Sequence, residues 1–235
     1  MTIVKVGEIK IKIRPNTTDI KVVEEVIKKK TYFKKGVSLT SDDIVLDLGG
    51  NIGTFACLAG SMGAKVYTYE PDKENFKLLK ENIALNNLQS KVKAFNKAVV
   101  WDKGSGKAYI YKVNNEYQKY THSLMETKGR KKEVISTVSM DSVNTKRGIT
   151  FLKADIEGSE RQLLDNISWN KPGYKSIRNF AFEYDFAYDK KIKNFKRRMQ
   201  KLRQYGWKVE HRRGKVLEGD EWKYFPTGLM IYCSR

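Results

Sequence analysis

Cysteine is scarce in this chain, with Cys57 and Cys233 the two thiols in 235 residues. They lie far apart in separate apolar segments and lack metal-site spacing. They are therefore expected to be reduced core residues of a cytoplasmic protein. No apolar run reaches the roughly 18 residues of a membrane-spanning helix, and Met1-Thr2-Ile3-Val4-Lys5 does not start like a secretory signal. Internal repeats, low-complexity tracts and linkers are also lacking. Acid is in deficit: 27 Asp and Glu stand against 46 Lys and Arg, a net charge of +19. The excess gathers near Lys28–Lys35 and from Lys190 to Lys215. It predicts attraction to polyanions such as nucleic acid, anionic membrane surfaces or nucleotide sugars. A solvated lysine-rich surface is the plainer reading of the same charge.

What is present suffices for a full core. Hydrophobic residues make up 40% of the chain, with four tryptophans and thirteen tyrosines. Most of the organisation turns on Ile44 to Pro71, IVLDLGGNIGTFACLAGSMGAKVYTYEP. Ile44-Val45-Leu46 is short, apolar and partly β-branched, as a buried parallel strand is, and it ends at Asp47. Gly49, Gly50 and Gly53 surround Asn51, and from Thr54 the apolar positions take helical spacing. Val66-Tyr67-Thr68-Tyr69 forms a second strand ending in Glu70. Glycines admit a ligand to main-chain atoms that a Cβ would block. An acid about twenty residues on can accept from both ribose hydroxyls of an adenosine. The dinucleotide pattern G-x-G-x-x-G is not met. Asp47 stands before the glycines instead, where it would repel a pyrophosphate but suit the ammonium of S-adenosylmethionine, directly or through water.

The flanking chain reads as further α/β units. Ile3 to Arg14 alternates apolar and basic residues about Gly7-Glu8, which predicts a hairpin. Asp19 is placed to cap a helix carrying Val22, Val23, Val26 and Ile27. After Pro71 a helix with Phe76, Leu79, Ile83 and Leu88 is expected, then a third strand from Val92 to Asn96. Asn96 and Ala98 fall where that strand would meet an adenine, although Asn96 could equally close a turn. Trp101 to Val113 reads as a hairpin turning at Gly104-Ser105-Gly106. Lys107 lacks the spacing of a phosphate loop. Strands are expected at Ile149–Ala154, Ile177–Glu183, Trp207–Val209 and Gly228–Cys233, with a basic helix over Asp189–Tyr205.

Three ordered stretches, LDLGGNIGTF, YEPDKENFKLLKENIALNNL and FLKADIEGSE, resemble the FkbM family of S-adenosylmethionine-dependent methyltransferases, with similarity from about Arg14 to Glu183. The resemblance implies a Rossmann-like α/β fold. Its mostly parallel seven-stranded sheet would have helices on both faces and a reversed strand near the C-terminus. It would form a methyltransferase domain at residues 41–235 behind an extension at 1–40. Arg14, Thr18-Asp19 and Tyr32 loosely fit the family's N-terminal approach, a candidate lid. The family mostly O-methylates small hydroxylated substrates, often sugars, so a sugar or glycan acceptor is the leading expectation.

Cofactor-binding candidates are Asp47, Gly49, Gly50, Asn51, Gly53, Glu70, Asn96, Ala98 and Asp155. Transfer to a hydroxyl needs help with its proton, and the site of an open α/β sheet lies beyond the carboxyl ends of its strands. Asp155, Glu183 and His122 are therefore the catalytic candidates, with Glu157, Glu183 and Tyr184 on the substrate side. Asp155 could instead cap a helix, and His122 could be simply solvated. Asp155 and Glu183 are also the candidates for a divalent cation, should one be used. Ribose 2′-O-methylation of RNA is the alternative activity, with Asp155, Glu183 and Lys153 around the acceptor. Amino-group methylation of bases is disfavoured, because Asp155-Ile156-Glu157-Gly158 replaces the [DNS]-P-P-[YF] clamp. A non-catalytic basic nucleic-acid-binding module on the same scaffold is a third possibility. Self-association is left open.

Overall fold

The computed structural model describes residues 1–34, 36–101, 106–112, 122–124, 131–144, 148–186, 192–211 and 228–235. Strands β1 (Thr2–Val6) and β2 (Ile9–Ile13) form the expected hairpin. They are followed by α1 (Asp19–Val23), which runs on into one π-helical turn, Glu24–Lys28. Then come β3 (Ile44–Leu48), α2 (Thr54–Ser61), β4 (Lys65–Tyr69), α3 (Lys73–Leu85) and β5 (Val92–Phe95). A second group comprises β6 (Ala98–Val100), β7 (Lys107–Lys112), β8 (His122–Ser123), β9 (Lys131–Ser139) and α4 (Met140–Asn144). The remainder is β10 (Phe151–Ala154), α5 (Glu160–Asn166), α6 (Pro172–Lys175), β11 (Asn179–Asp185), α7 (Ile192–Gln204), β12 (Lys208–His211) and β13 (Gly228–Ser234).

Seven strands pair in the order β12-β13-β11-β10-β3-β4-β5. β3, β4, β5, β10 and β11 run parallel, and β13 is antiparallel to both its neighbours. This is the expected mostly parallel sheet with one reversed strand. Strand alternation divides the core between its two faces. Leu46, Leu48, Leu152, Ala154, Phe180 and Phe182 pack with α5 and α7 residues on one face. Val45, Phe151, Ala181 and Tyr232 pack with α2, the π-helical turn and Tyr32 on the other.

One local expectation is corrected. Asp19 does not cap α1: its carboxylate accepts from the Arg14 guanidinium, Nη2 to Oδ1 at 2.8 Å, and both residues are buried. β7 pairs further along the chain with β9 and β8, while much of the first arm and turn of the hairpin expected within Trp101–Val113 falls outside the described residues. Residues 102–105 and Val113 lie outside the described residues. The β1–β2 hairpin is fastened to α3, where the Lys12 amide donates to Asn82 Oδ1 at 2.6 Å and the Lys10 amide to Asn86 Oδ1 at 2.8 Å.

Candidate active site

The sheet register builds the site in two transverse rows. Thr68, Asp47, Lys153 and Ala181 lie side by side across β4, β3, β10 and β11. Two residues further along, at the carboxyl ends, the same register brings Glu70, Gly49, Asp155 and Glu183 together. Side chains two apart share a face, so the second row sits directly beyond the first.

The first row is a buried polar layer. Asp47 is fully buried; its Oδ2 accepts from Thr68 Oγ1 at 2.7 Å, and its Oδ1 pairs with Lys153 Nζ at 3.1 Å. Lys153 Nζ also donates to the carbonyls of Gly49 at 2.6 Å and Leu48 at 3.2 Å, and lies 5.1 Å from the centre of the Tyr32 ring. Burial disfavours its ammonium, but Asp47 and Asp155 outweigh that and hold its pKa above the ordinary lysine value. Asp47 is thus engaged beneath the glycine loop rather than lining the cleft. Lys153, recruited from sequence only for the RNA alternative, is instead the buried tie between β10 and that loop. Its signal was a lysine inside an apolar strand, in register with an aspartate.

The second row opens onto a cleft of about 650 Å³, solvent at its mouth included. The cleft is lined among others by Gly49, Asn51, Glu70, Ala98, Asp155 and Glu157. Gly49 has a φ of +79°, and a Cβ there would stand 1.8 Å from the Asp155 carbonyl oxygen. Only glycine lets the loops after β3 and β10 touch. Gly50 is equally constrained, since its Cβ would meet Thr68 Oγ1 at 2.3 Å. Gly53, with a φ of +87°, forms the N-cap of α2. Glu70 accepts from the backbone amides of Asn51 at 2.7 Å and Asp72 at 2.9 Å, and burial still pushes its pKa up to about 7. Asn51 Oδ1 is buried on this wall without a hydrogen-bond partner. Asn96 closes a turn, its amide donating to the carbonyls of Glu70 at 2.9 Å and Pro71 at 3.0 Å, while Ala98 lines the cleft. An orphaned acceptor, a buried carboxylate and the apolar walls of Leu48, Tyr69, Val99 and Ile110 fit an adenosine-bearing cation such as S-adenosylmethionine.

At the acceptor end, Asp155 Oδ2 accepts from the Tyr32 hydroxyl. Burial and Asp155 raise the Tyr32 pKa well above its ordinary value, so the phenol stays a donor. Burial, with Asp155 and Asp185 nearby, raises the Glu183 pKa to about 7. Glu157 holds a left-handed φ of +51°, and burial beside Asp155 and Glu160 raises its pKa well above the carboxylate range. Glu160 was not anticipated from sequence. It accepts from the backbone amides of Ile156 and Gly158 and so ties down the loop after β10. The other wall is pinned by β7 and β8. Lys112 bridges Asp72 at 2.9 Å and Glu133 at 2.8 Å, and Ser123 Oγ donates to the Glu157 carbonyl.

Tyr184 is displaced from the expected substrate wall. It is fully buried on the opposite face, where its hydroxyl accepts from Arg198 Nη1 at 2.7 Å. β11 alternation turns it away from Glu183. The His122 backbone pairs with Lys112 in β8, and its side chain lies outside the described residues. Among the described residues, no group of three or more His, Cys, Asp or Glu is arranged to hold a metal ion. Nor is any helix among them long and apolar enough to cross a membrane.

A doubly wound sheet with a glycine turn after its first parallel strand and an acid after the second is the arrangement of an adenosine-cofactor site. The chain belongs to the methyltransferase FkbM domain family, whose profile matches residues 47–209. It is also 34% identical over 83 residues to a tRNA (guanine(37)-N(1))-methyltransferase of Phytophthora infestans, and 39% identical over 67 residues to the Saccharomyces cerevisiae enzyme of that name. These matches take in 35% and 28% of this chain, but only 18% and 12% of the relatives' own lengths. In fold it is similar to a precorrin-6y C5,15-methyltransferase of Geobacter metallireducens, with a TM-score of 0.51 and 9% identity over 96% of this chain and 98% of that one. A Pyrococcus abyssi tRNA (uracil-54, C5)-methyltransferase, solved with S-adenosyl-L-homocysteine, gives 0.50 and 12% identity over the whole of this chain and 44% of that one.

Proposed function

We propose that the chain is an O-methyltransferase acting on a hydroxyl of a sugar or a similar small hydroxylated acceptor. The observation that carries this reading is the pair of carboxylates at the ends of β10 and β11. Asp155 lines the cleft, and Glu183, next to it in register, has a pKa raised to about 7. An alcohol must lose its proton as it attacks, so a nearby base with a pKa close to neutrality suits it.

Bound S-adenosylmethionine supplies an electrophilic methyl group on a positively charged sulfur. In this reading the glycine loop, Asn51 and Glu70 hold the cofactor. Asp155 orients the acceptor hydroxyl and receives its proton, which Glu183 can share. Tyr32 fixes the Asp155 rotamer. Placing the acceptor in line with the methyl group removes much of the entropic barrier. If a divalent cation takes part, Asp155 and Glu183 are the oxygen donors it would use.

The test is Asp155→Ala assayed with labelled S-adenosylmethionine on a panel of monosaccharide glycosides, with and without EDTA. Turnover should fall by about 10²- to 10⁴-fold, while calorimetric cofactor affinity stays within a few-fold of wild type. Retained turnover would remove Asp155 from the chemistry. A second reading, in which the hydroxyl belongs to a ribose of RNA, is favoured by the net charge of +19 and by the tRNA-modifying relatives.

A further inference from the structure

Helix α7 carries six cations and no acid: Lys193, Lys196, Arg197, Arg198, Lys201 and Arg203. Its inner side is accounted for by packing, since Phe195, Met199 and Leu202 enter the core and the buried Arg198 holds Tyr184 and Asp165. Its outer side is arranged in rows. Lys193, Arg197 and Lys201 recur at four-residue spacing, and Lys196 and Arg203 sit seven apart beside them. Lys193, Lys196, Arg197 and Arg203 are exposed. Like charges at four-residue spacing destabilise a helix, and α7 has no acid of its own to offset them. The facing helix α5 contributes Asp165, which pairs with both Arg197 at 3.2 Å and Arg198 at 2.6 Å. Lys201 Nζ meanwhile donates to the carbonyls of Leu164 and Asp165. A recess lined by Asp165, Arg197, Arg198 and Lys201 therefore holds three cations against one carboxylate.

The placement of this strip links it to the site. Phe195, in the first turn of α7, packs on Tyr184 and Phe186 at the carboxyl end of β11, the end that bears Glu183 and Asp185, so the N-terminal end of the basic face lies nearest the acceptor mouth. A cationic strip about 20 Å long attracts phosphates. We infer that the outer face of α7 is a docking surface for the sugar-phosphate backbone of a single-stranded RNA, holding the phosphates while a ribose hydroxyl reaches Asp155. The ribose part of this inference rests on the second reading above, O-methylation of an RNA ribose, but the docking itself is measured without turnover.

The experiment uses a fluorescein-labelled 20-nucleotide single-stranded RNA of mixed sequence, with binding followed by anisotropy against salt. Wild type should bind with a log–log salt slope of about −3, as four to five phosphate contacts on a single strand give. Lys193→Gln/Lys196→Gln/Arg197→Gln should weaken binding at least tenfold at 0.1 M salt and reduce the slope by about 2. The charge-matched control Lys5→Gln/Lys10→Gln/Lys93→Gln should stay within twofold of wild type. If the triple variant melts early, Lys193→Glu alone carries the test, since an acid in the first helical turn suits the helix dipole; about a threefold loss is expected. Equal losses in both triple variants, absence of salt-dependent RNA binding, or binding only to phosphatidylserine vesicles would each overturn the docking surface. Methyl transfer to a free glycoside would survive all three outcomes if the O-methylation reading holds.

Discussion

Lys153 shows how much of this site depends on single side chains. It is buried, it neutralises Asp47, and it donates to two carbonyls of the glycine loop. Removing one partner of a buried ion pair leaves the other charged and unsolvated, at a cost of about 3–5 kcal/mol. Lys153→Met should therefore lose that much stability in urea denaturation. Lys153→Met/Asp47→Leu should recover a large part of it, because the two residues share one interaction. A single-variant cost below about 1 kcal/mol would mean that water reaches Asp47. Periodicity marks Lys153 as an oddity in an apolar strand, but its partner becomes visible only when β3 and β10 are set in register. Register between strands about a hundred residues apart is not written in either strand alone.

The loop from Asp155 to Glu160 shows the same limit at the scale of an element. Its glycine and acids were readable, and so was its place at a strand end. The left-handed Glu157 and the hold of Glu160 on the Ile156 and Gly158 amides depend on the folded neighbourhood. That neighbourhood has a consequence for pH. Burial raises the pKa of Glu160 to about 8, and those of Glu70 and Glu183 to about 7, from an ordinary 4.5. Between pH 4.5 and 8 the folded chain therefore holds protons that the unfolded chain has released. These groups stabilise the fold fully below about pH 4.5, and that stability is lost as pH rises through 7 to 8. Asp43, Glu81 and Glu133, lowered by hydrogen bonds to Thr150, Lys12 and Lys112 respectively, act in the opposite sense and lose their contribution as pH falls below 4.5. The melting temperature of the cofactor-free protein should peak near pH 5 and decline towards pH 8.5, with a shallower decline in Glu160→Gln. A rising or flat profile from pH 5 to 8.5 would contradict the buried-acid account.

Over the whole molecule, the parallel strands, the glycine turn and Glu70 were legible from local pattern, whereas the reversed β13 was implied by the family resemblance and not by periodicity. Tyr184 was misplaced because a run such as FEYDF gives the alternation but not which face is the core. The charge of +19 could be counted but not located, and the fold separates it: carboxylates at the mouth, cations along α7. The proposed hydroxyl acceptor is the central claim, and the atom that receives the methyl group tests it most directly. Products from glycoside and total RNA reactions with methyl-labelled S-adenosylmethionine should be digested to monomers and analysed by mass spectrometry and carbon NMR. The account predicts label in a methyl ether on a sugar oxygen. Label on a base nitrogen or carbon would contradict it, since the proton taken would then come from a base and not from a hydroxyl.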